Sequence, residues 1–251
     1  MIELDRASRI AGGRAIVDAL SLTVARGQFC ALVGPSGSGK STTLKMINRL
    51  VPLDAGAVRV DGRDIMHAPA EELRRSIGYV IQSIGLFPHW TVADNIATVP
   101  RLLRWPAVKV AARVAELLDL LRLDAAEARK YPHQLSGGQQ QRVGVARALA
   151  ADPDILLMDE PFGALDPITR TALQGELAAI HRRLGKTILF VTHDIDEALK
   201  LADRIAILDA GRLAQFGAPD EILDRPASAF VRDLLGNLEL RRLALQIARE
   251  T

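Results

Sequence analysis

Eight consecutive residues, Gly34-Pro35-Ser36-Gly37-Ser38-Gly39-Lys40-Ser41, satisfy G-x-x-x-x-G-K-[ST] without a mismatch. Glycines in such a run let the backbone curl until successive N–H groups face one anion. A helix beginning there adds the positive end of its dipole. Lys40 is placed to reach the outer phosphates of a nucleotide, and Ser41, followed by Thr42, to ligate Mg²⁺. A glycine-rich turn with an incidental lysine has the same letters, so the flanks decide. Gln28 to Val33 reads as a buried strand, and Lys40 onward, through Thr42, Leu44 and Ile47, reads as a helix. That order of strand, turn and helix supports a nucleotide site.

A pair of carboxylates is the second signal. Ile155-Leu-Leu-Met-Asp159 is an apolar run ending in an acid, with Glu160 next. Two acids closing a strand can be surface residues and nothing more. In a P-loop sheet the first supports Mg²⁺ and the second can polarise an attacking water. The third signal is Leu135-Ser-Gly-Gly-Gln139. Ser136 and Gln139 match a capping box, which makes the segment at least a helix start. Two adjacent glycines are costly there and suggest a close approach by something.

The elements that must hold these residues can be read along the chain. Ile2 to Ser8, Leu20 to Val24 and Ala57 to Val60 read as strands around the P-loop strand, the last ending in a hairpin-type Asp61-Gly62. A small antiparallel sheet is expected. Ile77 to Ile81 is another strand, ending at Gln82. From Gly85 to Asp152 no β-rich run occurs, and Val108, Ala111, Val114, Ala115, Leu118 and Leu121 predict an amphipathic helix over 107–122. A further helix is expected over 140–150. Asp166-Pro167 is a helix start, Thr187 to Thr192 a strand, and Asp194 with Glu197 a capping-box-like start for a helix through Leu201. Arg204 to Leu208 is expected to be the last strand, with helix from Pro219 to the end.

The composition narrows the function classes. With 49% hydrophobic residues in 251 the chain can bury a full core, and a formal charge of +2 gives no case for nucleic acid as a partner. The single cysteine, Cys30, excludes a disulfide framework and is expected in the core. Met1 to Arg14 carries Glu3, Asp5, Arg6 and Arg9 and no apolar run, so no signal peptide is expected. No uncharged apolar run approaches the roughly 20 residues of a spanning helix, so a membrane role is expected through a partner. His67, His89, His133 and His181 match no metal spacing and are expected at the surface.

Leu135-Ser-Gly-Gly-Gln139, followed by Gln140-Gln141-Arg142, resembles the signature of ATP-binding cassette (ABC) ATPases. Other family marks stand in order. Gln82 matches the Q-loop, Asp159 and Glu160 the Walker B pair, Ala164-Leu165-Asp166 the D-loop and His193 the switch histidine. The resemblance implies an α/β fold, a P-loop ATPase core with an antiparallel β subdomain and an inserted helical subdomain. It places the ABC ATPase domain at 1–236, the helical part at about 86–152, and a C-terminal helical extension at 237–251. It implies ATP and Mg²⁺ as cofactors. Gly34, Pro35, Ser36, Gly37, Ser38, Gly39, Lys40, Ser41 and Thr42 would form the ATP loop, and Ser41, Gln82 and Asp159 would serve the metal. Glu160 would be the general base, with Lys40, Gln82 and His193 completing the catalytic set. Ser136, Gly137, Gly138, Gln139 and Asp166 would complete the nucleotide site, the signature residues acting on ATP held by a second copy of the chain in a head-to-tail dimer.

One position departs from the family pattern. Near Ala11 such ATPases usually carry an aromatic that stacks on adenine, and Ile10-Ala11-Gly12-Gly13 has none. The stretch from Gln82 through Trp90 to Ala97, with Pro100 to Trp105, looks like importers of quaternary-amine osmoprotectants such as glycine betaine, carnitine and choline. That resemblance implies membrane permease subunits as partners, an extracytoplasmic solute-binding protein indirectly, and a peripheral place on the cytoplasmic face of the cell membrane. Many such ATPases continue into paired CBS modules, which are not expected within these residues. Leu86, Phe87 and Trp90 read either as a docking patch for the permease or as core of the helical part. Uptake of another polar solute, an amino acid or a polyamine, is the alternative within the family. Outside transport, soluble ABC ATPases usually carry coiled-coil insertions or duplicated cassettes, and a P-loop kinase has no use for Leu135 to Gln139.

Overall fold

The computed structural model describes residues 1–239, 241 and 243. Its strands are β1 (Ile2–Ala11), β2 (Arg14–Val24), β3 (Phe29–Val33), β4 (Ala55–Val60), β5 (Arg63–Asp64), β6 (Ile77–Val80), β7 (Ile155–Asp159), β8 (Thr187–Thr192), β9 (Arg204–Asp209) and β10 (Arg212–Gly217). The chain divides into two compact units, residues 1–70 with 187–251, and residues 71–186.

The first unit holds two sheets. One is antiparallel, in the order β2-β1-β4-β5, as the sequence leads one to expect. Its two tight hairpins turn on Gly12-Gly13 and Asp61-Gly62, all with positive φ, the backbone that matches strand twist in two-residue loops. The other sheet lays β8 and β9 parallel on either side of β3, with β10 antiparallel on β9. β3 and β8 are buried at every residue, which is why both read as unbroken apolar runs. Phe29 and Phe190 meet edge to face at 5.3 Å between them. Asp203 pins the start of β3 by accepting the Phe29 N–H at 2.8 Å. Cys30 is fully buried, and that burial raises its thiol pKa to about 12.

The strand β10 is a correction, since Arg204 to Leu208 was expected to end the sheet. Ala210 and Gly211, at φ 44° and 85°, make the same kind of two-residue hairpin as Asp61-Gly62. The helix at Asp194 is also a correction in detail. Asp194 caps Asp196 and Glu197, but Glu197 does not reach back to it. Instead Thr192 Oγ1 accepts the Asp194 N–H at 3.0 Å and donates to the Glu197 carboxylate at 2.6 Å.

In the second unit β6 and β7 pair in parallel, Ile77 opposite Ile155. Helices occupy Val92–Ile96, Thr98–Leu102, Ala107–Leu120 and Gly137–Leu149. The expected helix over 107–122 stops two residues early, with Arg122 at φ 53°. It buries Val110, Val114, Leu117 and Leu118, the spacing of a single apolar face. The helix expected from Gln140 begins at Gly137. Gly78 lets that helix close on β6, because a Cβ there would lie 2.5 Å from the Ala148 carbonyl oxygen. The helix Pro167–Leu184 starts as expected, Asp166 accepting from the N–H groups of Ile168 and Thr169. Residues 240, 242 and 244–251, part of the expected C-terminal helix, lie outside the described residues.

Candidate functional site

In the first unit β3 delivers the chain into Gly34, and the helix Lys40–Ile47 takes it away. The turn has no slack. A Cβ on Gly34 would stand 2.2 Å from the Leu208 carbonyl oxygen, and one on Gly39 2.6 Å from that of Ile16. Gly37, at φ 80°, meets nothing within 4 Å and faces open space. Gly39 starts the helix at φ 96° with no side-chain cap. Ser38 Oγ is buried without a hydrogen-bond partner. Lys40 is buried and donates to the carbonyls of Gly34 and Pro35 at 2.7 and 2.8 Å. Pro35, Ser36 and Gly37 are exposed at the crest, with Ser41 and Thr42 half-buried behind. An orphaned hydroxyl, an uncapped helix start and a glycine facing open space together fit a polyanion.

His193 belongs to the same edge. Val33 and Thr192 are partners across the β3–β8 ladder, so Gly34 and His193 leave neighbouring parallel strands side by side. The carboxyl ends of parallel strands are where open α/β sheets bind ligands. His193 is exposed there.

The second unit repeats the arrangement with other chemistry. Val80 and Met158 are partners across β6 and β7, and Gln82 and Glu160 follow two residues beyond each. Gln82 Nε2 donates to Glu160 Oε2 at 3.2 Å. Asp159 is buried at the end of β7. Burial and the charge of Asp159 raise the Tyr79 phenol to about 12. Glu160 sits at φ 46°, in the left-handed region, directly before Pro161. A residue before proline prefers extended backbone, so Glu160 is held in a conformation its neighbour disfavours.

Ser136 and Gln139 form a full capping box. Ser136 Oγ accepts the Gln139 N–H at 3.3 Å, and Gln139 Oε1 accepts the Ser136 N–H at 2.9 Å. The glycines between them differ. A Cβ on Gly138 would lie 2.4 Å from Thr169 Cγ2, so its close approach is internal, while Gly137 meets nothing. Asp166 is exposed, and its hydrogen bonds from Thr169 hold its carboxyl below the usual range.

The segment after Gln82 carries residues that sequence reasoning passed over. Asn95 is fully buried, accepts the Phe87 N–H at 2.8 Å, and donates to the carbonyls of Phe87, Trp90 and Thr91. Arg147 donates to the Ile84 and Gly85 carbonyls at 2.9 and 2.7 Å, with its guanidinium 6.0 Å from the Phe87 ring. Phe87 is exposed, Leu86 and Trp90 are half-buried, and the Phe87 and Trp90 rings lie 4.5 Å apart. An asparagine inside an Ala-Asp-Asn-Ile stretch was the only signal available. His67, His89 and His133 are exposed, whereas His181 is half-buried. Ala11 ends β1 with the exposed Ile10 beside it. Among the described residues no helix is long and apolar enough to cross a membrane.

The chain belongs to the ABC transporter family, whose model matches residues 17–163, and it has the ABC ATPase cassette fold of an ATP-hydrolysing transporter subunit. It is 58% identical over 240 residues to the glycine betaine uptake system ATP-binding protein YehX of Escherichia coli, covering 96% of this chain and 78% of that protein. It is 55% identical over 241 residues to the glycine betaine/carnitine/choline transport ATP-binding protein OpuCA of Bacillus subtilis, covering 96% of this chain and 63% of that protein. Among solved structures it is similar to a dimeric post-hydrolysis state of the ATP-binding cassette MJ0796 bound to ADP and Pi. There the TM-score is 0.78 and the identity 33%, covering 87% of this chain and 99% of the other.

Proposed function

We propose that the chain is the ATPase of an importer for quaternary-amine osmoprotectants, working through separate membrane permease subunits fed by an extracytoplasmic solute-binding protein. The observation that carries the solute class is the identity above one half, over nearly the whole chain, to the two ATP-binding proteins just described. The reaction is ATP plus water to ADP plus phosphate. Gly34 to Thr42 bind the phosphates, with Lys40 turning from the Gly34 and Pro35 carbonyls to the outer ones. Glu160, oriented by Gln82, accepts the proton of the attacking water. His193 contacts the γ-phosphate. Ser41, Gln82 and Asp159 would hold Mg²⁺, which supplies positive charge against the phosphates; one or two carboxylates plus phosphate oxygens is its usual donor set.

The turn Ser136–Gln139 serves ATP bound to a second copy, in the head-to-tail dimer, and Asp166 lines the same face. Phe87 and Trp90, with Leu86, form the docking patch for the permease, which places the chain peripherally on the cytoplasmic side of the membrane. Residues 86–152 act as the helical subdomain of a cassette spanning 1–236. The deciding experiment reconstitutes the chain with its permease and binding protein in proteoliposomes. Glycine betaine, carnitine or choline should stimulate ATP hydrolysis. Stimulation by a polyamine or an amino acid, and not by these, overturns the solute class. Loss of stimulation in Trp90→Ala, with an unchanged melting temperature, supports the docking patch; a large drop in melting temperature makes Trp90 core instead.

A further inference from the structure

Glu127 is a buried carboxylate to which the chemistry above gives no task. It lies in the short turn Ala125–Arg129, 5% exposed. A buried carboxylate persists only with partners. Its Oε2 accepts the Asp124 N–H at 3.1 Å, closing its own turn. Its Oε1 accepts a hydrogen bond from Gln139 Nε2, with the Lys130 ammonium at 3.4 Å. The Gln139 amide is therefore held at both ends, its oxygen by the Ser136 N–H and its nitrogen by Glu127. A flipped amide would set NH₂ against N–H and oxygen against carboxylate, so Glu127 fixes which way Gln139 faces.

That orientation matters because of what the capping box leaves over. It uses the N–H groups of Ser136 and Gln139, while Gln140 bonds back to the Ser136 carbonyl. The first-turn donors left to face a ligand are those of Gly137 and Gly138, the residues with the most backbone freedom. We infer that Glu127 is a positioning residue for the signature turn. By clamping Gln139 it holds the Gly137 and Gly138 N–H groups ready for the γ-phosphate of ATP on the second copy. The inference rests on the proposed role of that turn across the dimer.

The test uses the full chain in a Glu160→Gln background, with ATP, sedimentation velocity for dimer formation, and a fluorescent ATP analogue for binding to the monomer. Glu127→Ala should weaken ATP-driven dimerisation by about tenfold or more, while monomer affinity stays within about twofold. Adding Gln139→Ala should cost nothing further, because the two residues act as one unit. Glu127→Gln keeps one accepting oxygen and should fall between, at an unchanged melting temperature; it carries the test if the alanine variant does not fold. Normal dimerisation of Glu127→Ala, additive effects, or a parallel loss of monomer affinity and thermal stability overturns the inference. Ser136→Arg is the reference. If Ser136→Arg dimerises normally, the role of the turn across the dimer has failed. If it blocks dimerisation and Glu127→Ala does not, only the assignment of Glu127 has failed.

Discussion

The turns at Gly34–Lys40 and Ser136–Gln139 are both glycine-containing entries to a helix, and they solve opposite problems. The first leaves its helix uncapped, buries an unpartnered Ser38 hydroxyl, and uses glycines where carbonyls of Leu208 and Ile16 leave no room for a Cβ. The second satisfies its own helix start with a reciprocal capping box, and neither of its glycines has a positive φ. The first turn has its path fixed by the surrounding backbone and its helix start left open, with Lys40 held on the Gly34 and Pro35 carbonyls. The second turn is folded by its own capping box and, in the role proposed for it, leaves the Gly137 and Gly138 N–H groups for a phosphate on another molecule. Each turn holds one glycine that meets nothing, Gly37 and Gly137, beside at least one that a Cβ would crowd, against backbone in the first turn and against the Thr169 side chain in the second.

On the proposed roles both turns bind and neither makes bonds, so the largest effect should come from outside them. Glu160→Gln should keep ATP binding and lose about 10²-fold or more in kcat, read by steady-state hydrolysis. Near-normal turnover would move the chemistry elsewhere. The glycines should then separate the turns. Gly34→Ala forces a Cβ into a backbone carbonyl and should lower the melting temperature by about 5 °C or more and abolish ATP binding. Gly137→Ala, with open space and ordinary helical φ, should stay within about 2 °C of the parent protein. Equal losses would erase the distinction.

A smaller effect concerns the base, which the phosphate loop does not address. Ala11→Tyr should tighten ATP by about fivefold or more, with tripolyphosphate binding unchanged, since stacking a base on an aromatic contributes roughly 1–3 kcal/mol. An unchanged ATP affinity would mean that the position does not face adenine.

The smallest effect is a probe of the strand under the first turn. The Cys30 thiol has its pKa raised to about 12, above the unfolded value of about 8.5. Its contribution to stability is therefore full below about pH 8.5 and is lost as pH rises toward 12. Alkylation of Cys30 at pH 9 should be slow and slower still with ATP, while Ser136→Arg should leave the rate without ATP unchanged. Alkylation at the rate of a free thiol would show β3 to be open.

Much of this was legible because local physics fixes it. Strand β7, the helix Lys40–Ile47 and the Asp166-Pro167 start follow from runs and caps that act within a few residues. Strand β10 was not legible, because Leu213 and Phe216 alternate too weakly to mark a strand without the Ala210-Gly211 hairpin. Asn95, Glu127 and Arg147 were invisible for a different reason. Each acts on backbone or amide groups that folding brings to it, 3 to 63 residues away, and no spacing in the chain announces that. The Thr192 bridge to Glu197 shows how a correct cap can still conceal its wiring.

One helix, Gly137–Leu149, is held at both ends by residues described above: Ser136 with Gln139 at its start, and Arg147 gripping Ile84 and Gly85 near its finish. Its 13 residues span about 20 Å, and a hydrogen-bonded helix of that length is stiff against compression. Ile84, at the far end, is a β-branched residue at φ 60°, a backbone conformation such residues rarely adopt. The helix thus ties the Ile84–Gly85 turn, beside Phe87, to the turn that carries Gly137. On the roles proposed for Phe87 and Gly137, a sideways push on the exposed aromatic would reach the signature N–H groups along this rod, without passing through the ATP-binding loop.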